Sequence, residues 1–192
     1  MLDVHILVLP SRDEAIVGRC VESVMNAADQ AGYPVDVHLL CGIEGHIGRG
    51  RALGYAKGHH PYVTSVDDDD WVDANAFACL AQALLDRPAS IYTRSIGHDA
   101  QSTHIQNIRQ NFRVFRRDVT ESIDLSLWPA CDSSALIAHA DDVGEIRLLD
   151  ACPYHHVMND DSSARLILKS HPSIVSRARS LGAVHRWREM VA

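Results

Sequence analysis

The sequence predicts one α/β domain with an open, mostly parallel (mixed) sheet flanked by helices, spanning all 192 residues. Short, nearly continuous apolar runs, typical of strands buried on both faces, alternate with segments of helical periodicity. Strands and helices that alternate in this way build a parallel sheet covered by helices. No repeat and no long linker interrupts this order, so a single domain is predicted.

The first β–α unit is predicted from residues 4–32. Residues 4–9 form an apolar run that Pro10 ends, which indicates a strand. Residues 11–14, Ser-Arg-Asp-Glu, have the spacing of a capping box, in which Ser and Glu satisfy the free amides at a helix start. The apolar residues that follow keep helical spacing as far as Gly32.

The next elements lead to the most informative junction of the chain. A second strand is predicted over residues 35–41, a glycine-bearing loop over 42–50 and a helix over 51–58. The third strand, residues 62–66, runs directly into four consecutive aspartates, residues 67–70. Ligands of open α/β sheets bind outside the carboxyl ends of the strands, so this junction is the expected site.

The second half of the chain is less regular. A helix with an apolar stripe ends before Pro88. The remaining predicted elements are three strands and two closing helices: strands at 90–94, 111–116 and 133–138, and helices at 161–169 and 173–181. A polar stretch over residues 96–108 is expected to separate the first two of these strands.

Composition and charge exclude several classes of protein. Eighteen Lys and Arg against 25 Asp and Glu give a net charge of −7, which disfavours a general polyanion binder. Five cysteines without a Cys-x-x-Cys pair favour reduced thiols over a zinc or redox site. The apolar N-terminal run is too short to span a bilayer and follows no basic leader, so we expect a cytoplasmic protein without membrane contact.

The aspartate run favours a divalent cation. Adjacent carboxylates make one another costly to ionise unless a cation or hydrogen-bond donors offset the charge. In an extended segment, Asp67 and Asp69 would point to one side and Asp68 and Asp70 to the other. Oxygen ligands of this kind suit Mg²⁺ or Mn²⁺, with diphosphate and water completing the shell. The alternative is a solvated acidic turn that caps the following helix.

Three segments of the first half carry a resemblance to a known family: Pro10-Ser11-Arg12-Asp13-Glu14, Arg51-Ala52-Leu53-Gly54, and the run from Tyr62 to Trp71. In order and spacing they resemble family 2 glycosyltransferases of the GT-A fold. The resemblance implies an Asp-x-Asp motif that holds a metal on the diphosphate of a nucleotide sugar. It assigns Asp67 and Asp69 to the metal, with Asp69 as the direct ligand, and gives Asp68 and Asp70 supporting roles.

The resemblance also divides the chain into two halves, residues 1–88 for the nucleotide sugar and 89–192 for the acceptor and the catalytic base. The implied donor-binding residues are Pro10, Ser11, Arg12, Glu14, Glu44, Arg49, Arg51, Asp67 and Asp68. Glu44 is the nearest substitute for the carboxylates with which relatives end the second strand. Arg49 and Arg51 are candidates for phosphate or base contacts.

The second half continues the resemblance through Ser133-Ser134-Ala135-Leu136-Ile137 and the segment 159–166. There Asp161 occupies the place of the catalytic base of inverting members, and Asp160 stands where Glu is usual. Arg165 is expected either to orient Asp161 or to be an exposed helix-end cation. Trp71 either packs beneath the metal loop or contacts the acceptor sugar.

Two further groups are weaker candidates. His185 could return to the metal, as C-terminal histidines do in several GT-A enzymes. Arginines cluster at positions 109, 113, 116 and 117, where they could bind an anionic acceptor or form a solvated face.

Together these observations predict a metal-dependent glycosyltransferase, with Mn²⁺ or Mg²⁺ as cofactor. It would move a hexose from a nucleoside diphosphate sugar, a UDP-sugar by family frequency, to an acceptor hydroxyl with inversion. The acceptor would be a glycan or a small molecule, and a modified DNA base is disfavoured by the charge of −7. A homo-oligomer is possible.

Two alternatives stay open. One is a catalytically degenerate GT-A-like domain that binds nucleotides or regulates. The other is a sugar-phosphate nucleotidylyltransferase, which would need a glycine-rich phosphate loop after the first strand, where residues 10–14 contain no glycine.

Overall fold

The computed structural model describes residues 1–99, 101–106, 112–128, 132–157 and residue 173. Its strands are β1 (Leu2–Val8), β2 (Val35–Cys41), β3 (Tyr62–Asp67), β4 (Trp71–Val72), β5 (Ser90–His98), β6 (Thr103–Gln106), β7 (Arg113–Arg116) and β8 (Ile146–Val157). Its α-helices are α1 (Glu14–Asp29), α2 (Ile47–Tyr55), α3 (Ala81–Leu85), α4 (Arg117–Glu121) and α5 (Asp132–Val143). Two 3₁₀ turns lie at Ala78–Leu80 and Leu125–Leu127.

The strands form one sheet of eight in the order β2-β1-β3-β7-β5-β8-β4, with β6 paired to β5. The pairs β1–β2, β1–β3 and β5–β8 are parallel, whereas β7 runs antiparallel to both β3 and β5. Most strands therefore point the same way, and β4, β6 and β7 oppose them. The predicted fold class, an open, mostly parallel but mixed sheet flanked by helices, is confirmed.

Alternation along the strands divides the apolar core between the two faces of the sheet. In β3, Tyr62 and Val66 pack on one face with Cys20 and Val24 of α1. Val63 packs on the other face in a cluster with residues of α2, α4 and α5. The helices thus cover both faces, and the carboxyl end of β3 is left at the sheet edge.

Helix α1 begins two residues later than the sequence predicts. Its N-cap is Asp13, whose Oδ1 accepts from the amides of Ala15 at 2.9 Å and Ile16 at 3.3 Å. The predicted capping box with Ser11 as the cap is wrong, because Asp13 is the better-placed acceptor at the first helical turn. Ser11 is exposed in the turn before it.

Three other predictions are corrected. Helix α2 begins at Ile47 rather than residue 51, with His46 Nδ1 accepting from the Arg49 amide at 3.2 Å. Residues 133–138 lie in helix α5 and not in a strand. The polar stretch over 96–108 contains the end of β5 and the hairpin partner β6 among its described residues.

Strand β8, with 12 residues, is the longest described element that the sequence analysis does not predict, and β4, β6 and α4 are also not predicted. It runs parallel to β5 and antiparallel to β4, with an irregularity in the register opposite Thr93 and Ser95. The closing helices predicted at 161–169 and 173–181 lie outside the described residues apart from position 173. Within the described part of the chain, no helix has the length and apolar character needed to cross a membrane.

Candidate functional site

The aspartate run lies at the carboxyl end of β3, beside the end of β1. Leu7 of β1 is in register with Asp67, and the chain then turns, with the Asp70 amide donating to the Asp67 carbonyl at 3.0 Å. The alternation predicted for an extended run is therefore wrong, because residues 67–70 form a turn. Each of the four carboxylates meets a different environment.

Asp68 fixes this turn to the end of β1. Its side chain is 3% exposed, and its Oδ2 accepts from the Leu9 amide at 2.8 Å. Its Oδ1 accepts from the guanidinium of Arg12, with Nε and Nη2 both at 2.8 Å. Through these contacts to Leu9 and Arg12, Asp68 holds the loop after β1 against the turn.

Asp69 is the carboxylate with the least compensated charge. Arg12 Nη1 lies 3.1 Å from its Oδ2, and the side chain is 20% exposed. Burial, followed by the charges of Asp70 and Asp67, raises the pKa of Asp69 to about 6 despite Arg12. A further positive charge at this position would therefore be favourable.

Asp67 has the most exposed side chain of the four aspartates in this turn, at 46%. Its Oδ1 accepts from Arg51 Nη2 of helix α2 at 2.9 Å. Burial opposes ionisation, but the Arg51 charge and hydrogen bond outweigh it and lower the pKa of Asp67. Asp67 is therefore ionised and accessible at neutral pH.

Asp70 faces inward and joins the turn to β8. It is fully buried, and Tyr154 donates to its Oδ2 at 2.5 Å while the Val157 amide donates to its Oδ1 at 2.8 Å. His156 Nδ1 lies 3.1 Å from Oδ2. Burial raises the pKa of Asp70, and its hydrogen bond to His156 opposes that shift. Sequence reasoning missed Tyr154 and His156, since no local signal links them to the aspartates.

Trp71 follows the turn and lies in a stack of planar groups. The Arg19 guanidinium carbon is 4.1 Å from the indole centroid, and the His155 ring stacks on the indole at 4.9 Å with a 7° angle between planes. Arg19 also donates to the Asp69 carbonyl at 2.9 Å. Of the two roles considered for Trp71, packing beside the aspartate turn agrees with these contacts.

The donor set of the turn fits Mg²⁺ or Mn²⁺. Arg51 binds Asp67 through Oδ1 and Arg12 binds Asp69 through Oδ2, so each carboxylate retains a second oxygen. Both cations are commonly held by one or two carboxylates together with substrate phosphates and water. Burial and the neighbouring charges of Asp70 and Asp67 raise the pKa of Asp69, so a cation beside this carboxylate would favour its ionised form.

The other predicted donor residues lie at the same edge of the sheet. Pro10, Ser11 and Glu14 are exposed in the segment between β1 and the first turn of α1. Glu44 and Arg49 are exposed between the end of β2 and the first turns of α2. The predicted base and orienting residues Asp160, Asp161 and Arg165, and the predicted ligand His185, lie outside the described residues.

Two arginines of the predicted cluster, Arg116 and Arg117, form ion pairs within the protein, and Arg109 lies outside the described residues. Arg117 pairs with the buried Asp3 and donates to the His60 carbonyl at 2.6 Å. Arg116 pairs with Asp118 at 2.7 Å. These contacts favour a structural role for both arginines over an anion site.

Comparison with known proteins gives a match in fold alone. No protein-family model and no curated protein sequence matches the chain. S. aureus TarS superimposes with a TM-score of 0.58 at 13% identity, over 88% of this chain and 39% of TarS.

Two ligand complexes of TarS 1–349 are also similar to the chain in fold. The complex with UDP-GlcNAc has a TM-score of 0.59 at 12% identity, over 85% of this chain and 60% of that one. The complex with UDP has a TM-score of 0.58 at 13% identity, over 87% and 63%. The chain thus spans less than two thirds of these structures, and it shares their GT-A-like architecture.

Proposed function

We propose that the chain is a metal-dependent glycosyltransferase that uses a nucleoside diphosphate sugar, with a UDP-sugar as the donor. The observation that carries this proposal is the aspartate turn at the carboxyl end of β3, clasped by Arg12 and Arg51. The fold of the chain is similar to that of S. aureus TarS 1–349, which has been crystallised with UDP-GlcNAc and with UDP. The resemblance of residues 10–14, 51–54 and 62–71 to family 2 supports the same function.

Within this proposal, each described residue has a defined part. Asp67 and Asp69 would hold Mn²⁺ or Mg²⁺, and the bound cation would supply positive charge beside the departing nucleoside diphosphate. Asp68 anchors the turn to Leu9 and leaves Arg12 positioned beside Asp69. Arg51 keeps the Asp67 carboxylate ionised.

The transfer itself requires a base on the opposite side of the sugar. Asp161, in the place of the family's base, accepts the proton of the acceptor hydroxyl as its oxygen bonds to the anomeric carbon. The bond from that carbon to the diphosphate breaks, and the leaving group keeps the electron pair. A single displacement of this kind inverts the anomeric configuration. Asp160 and Arg165 position Asp161, and His185 is proposed as an additional metal ligand.

A thermal-shift panel tests the donor site. UDP-, GDP-, CMP- and dTDP-sugars are added to the protein with and without Mn²⁺, and a ligand that binds the folded state raises the melting temperature. We expect a rise that requires Mn²⁺ and is largest with a UDP-sugar.

Two variants make the panel specific. Asp69→Ala should lose the Mn²⁺-dependent rise, whereas Glu22→Ala, an exposed change on α1, should keep it. If no nucleotide sugar shifts the wild-type protein, the proposal fails and the catalytically degenerate domain becomes the better interpretation. If one nucleotide sugar does bind, its transfer to a hydroxyl acceptor is assayed next.

A further inference from the structure

A second group of metal-binding side chains lies at the opposite edge of the sheet from the aspartate turn. Asp36 is the second residue of β2, and His59 and His60 precede β3. One ligand atom from each of the three lies within 4.8 Å of the others. Among the described residues, this is the single group of three or more such side chains that meets that distance. Residues 61–66 separate His60 from Asp67 by roughly 20 Å.

The backbone on both sides of this group is held in place. The His60 amide donates to Asp3 Oδ2 at 2.7 Å, and its carbonyl accepts from Arg117 Nε at 2.6 Å. Asp36 is in register with Asp3 across the β1–β2 pair. The side chain of the buried Asp3 therefore fixes the histidine segment to β1, and the pairing of β1 with β2 places Asp36 next to Asp3. A preorganised set of ligands loses little freedom on binding a cation.

Gly58 helps to set the path of the histidine segment. Its φ is +80°, and a Cβ at this position would lie 2.2 Å from Asp3 Oδ1. Only glycine accepts both the left-handed conformation and this close approach. The turn after α2 thus passes directly over Asp3 and delivers His59 and His60 beside Asp36.

The ligand atoms themselves are poised for a cation. His60 Nε2 is buried and, among the described residues, makes no hydrogen bond, although Asp36 Oδ2 lies 3.3 Å away. The two histidine rings lie side by side with centroids 4.5 Å apart. His59 and Asp36 are exposed, so solvent and ions reach the group. A buried polar atom without a partner is costly, and a metal would satisfy it.

We propose that Asp36, His59 and His60 form a transition-metal site of the zinc class. Two imidazole nitrogens and one carboxylate oxygen are ligands that Zn²⁺ takes at about 2.0–2.2 Å, with water as the fourth ligand. The three ligand atoms lie within 4.8 Å of one another, and the side chains of Asp36 and His59, which are exposed, would rotate to bring them to bonding distance of the metal. The aspartate turn offers oxygen ligands suited to Mg²⁺ or Mn²⁺, so the two sites differ in metal preference. A cation here links β2 to the segment before β3 and stabilises the fold, independently of the proposed transfer reaction.

Co²⁺ titration of the full chain tests this site, because tetrahedral Co²⁺ with nitrogen ligands absorbs strongly in the visible range. We expect one saturable visible band, displaced by one equivalent of Zn²⁺, and a rise in melting temperature with Zn²⁺. The double variant Asp36→Asn with His59→Ala should lose the band. Its Zn²⁺ affinity should fall at least about tenfold, since even residues that only orient a ligand change affinity 10–100-fold.

Two further variants distinguish this site from other sources of Co²⁺ binding. His104→Ala removes an exposed histidine of β6 and should leave the band unchanged. Asp69→Asn alters the aspartate turn and should also leave it unchanged, so failure of the proposed transferase does not affect the result. An unchanged band in the double variant, or a loss in Asp69→Asn, would overturn the proposal. Circular dichroism of each variant confirms folding.

Discussion

Arg51 Nη2 lies 2.9 Å from Asp67 Oδ1, so a residue of α2 controls the charge of a carboxylate at the end of β3. Arg51 is 14% exposed at its side chain and Asp67 is 46% exposed. The pair therefore leaves the carboxylate open to solvent while its pKa is kept below the ordinary value. This arrangement gives the turn an ionised ligand at neutral pH.

Replacement of Arg51 by Gln should move Mn²⁺-dependent nucleotide binding to higher pH. Without the guanidinium, the pKa of Asp67 rises and protons compete with the cation for the carboxylate. The measurement is the Mn²⁺-dependent thermal shift with a UDP-sugar between pH 5 and pH 8. Lys57→Gln, a change at an exposed position just after the same helix, is the comparison. Equal loss of binding at every pH would instead identify Arg51 as a direct nucleotide contact.

Loss of the Asp68 carboxylate should destabilise the fold. Asp68→Ala leaves the Leu9 amide and the Arg12 guanidinium without their partner and should cost about 3 kcal/mol of unfolding free energy. Asp68→Asn retains one acceptor and should cost about 1 kcal/mol. Urea denaturation measures both. Asp118→Ala, which breaks an exposed pair with Arg116, is the control and should cost less than about 1 kcal/mol.

Asp69→Asn should stabilise the protein at neutral pH while it abolishes Mn²⁺-dependent binding. The folded pKa is about 6 against an ordinary value of 3.8, so the folded state favours the protonated acid. The stability that this carboxyl contributes is complete below pH 3.8 and is lost as pH rises through 6. A neutral amide avoids that loss.

The gain from Asp69→Asn should be about 1–2 kcal/mol at pH 7.5, after allowance for partial exposure, and should vanish near pH 4. Urea denaturation at the two pH values measures it, with Glu22→Gln on the exposed face of α1 as the control. Lower stability of Asp69→Asn at pH 7.5 would contradict the cost inferred for ionising Asp69 in the folded state.

Asp161→Asn tests the assigned base. The amide cannot accept the acceptor proton, so turnover should fall by about 10²–10⁴-fold, while the Mn²⁺-dependent thermal shift with the donor is retained. Asp160→Asn, one residue away, should keep a larger part of the activity. Undiminished turnover in Asp161→Asn would remove this residue from the mechanism.

The sequence predicts the position of the site better than its internal geometry. An apolar run that ends abruptly in four aspartates indicates a buried strand with charge at its carboxyl end, and β3 confirms it. The turn over residues 67–70 is not encoded in that pattern. Asp70 lies inward because Tyr154 and His156 of β8 bind it, and these residues are 84 and 86 positions away.

The errors in secondary structure have a similar cause. Ala135 to Ala138 is an apolar run too short for periodicity to separate a strand from a buried helix. The structure places it in α5, where Leu136 and Ala140 are buried one helical turn apart. Strand β8 is hidden because polar and apolar residues mix along it, and because Pro153 interrupts it near the irregular register with β5.

The stack around Trp71 gives the protein an optical reporter of its own candidate site. The indole contacts Arg19 and His155 directly after the aspartate turn, whereas Trp128 is buried beside the start of α2 and Trp187 lies outside the described residues. Mn²⁺ is paramagnetic and quenches the fluorescence of a nearby indole, and Mg²⁺ is diamagnetic and does not. A Mn²⁺ quench that is lost in Trp71→Phe therefore distinguishes occupancy of the turn by Mn²⁺ from occupancy by Mg²⁺, without any label added to the chain.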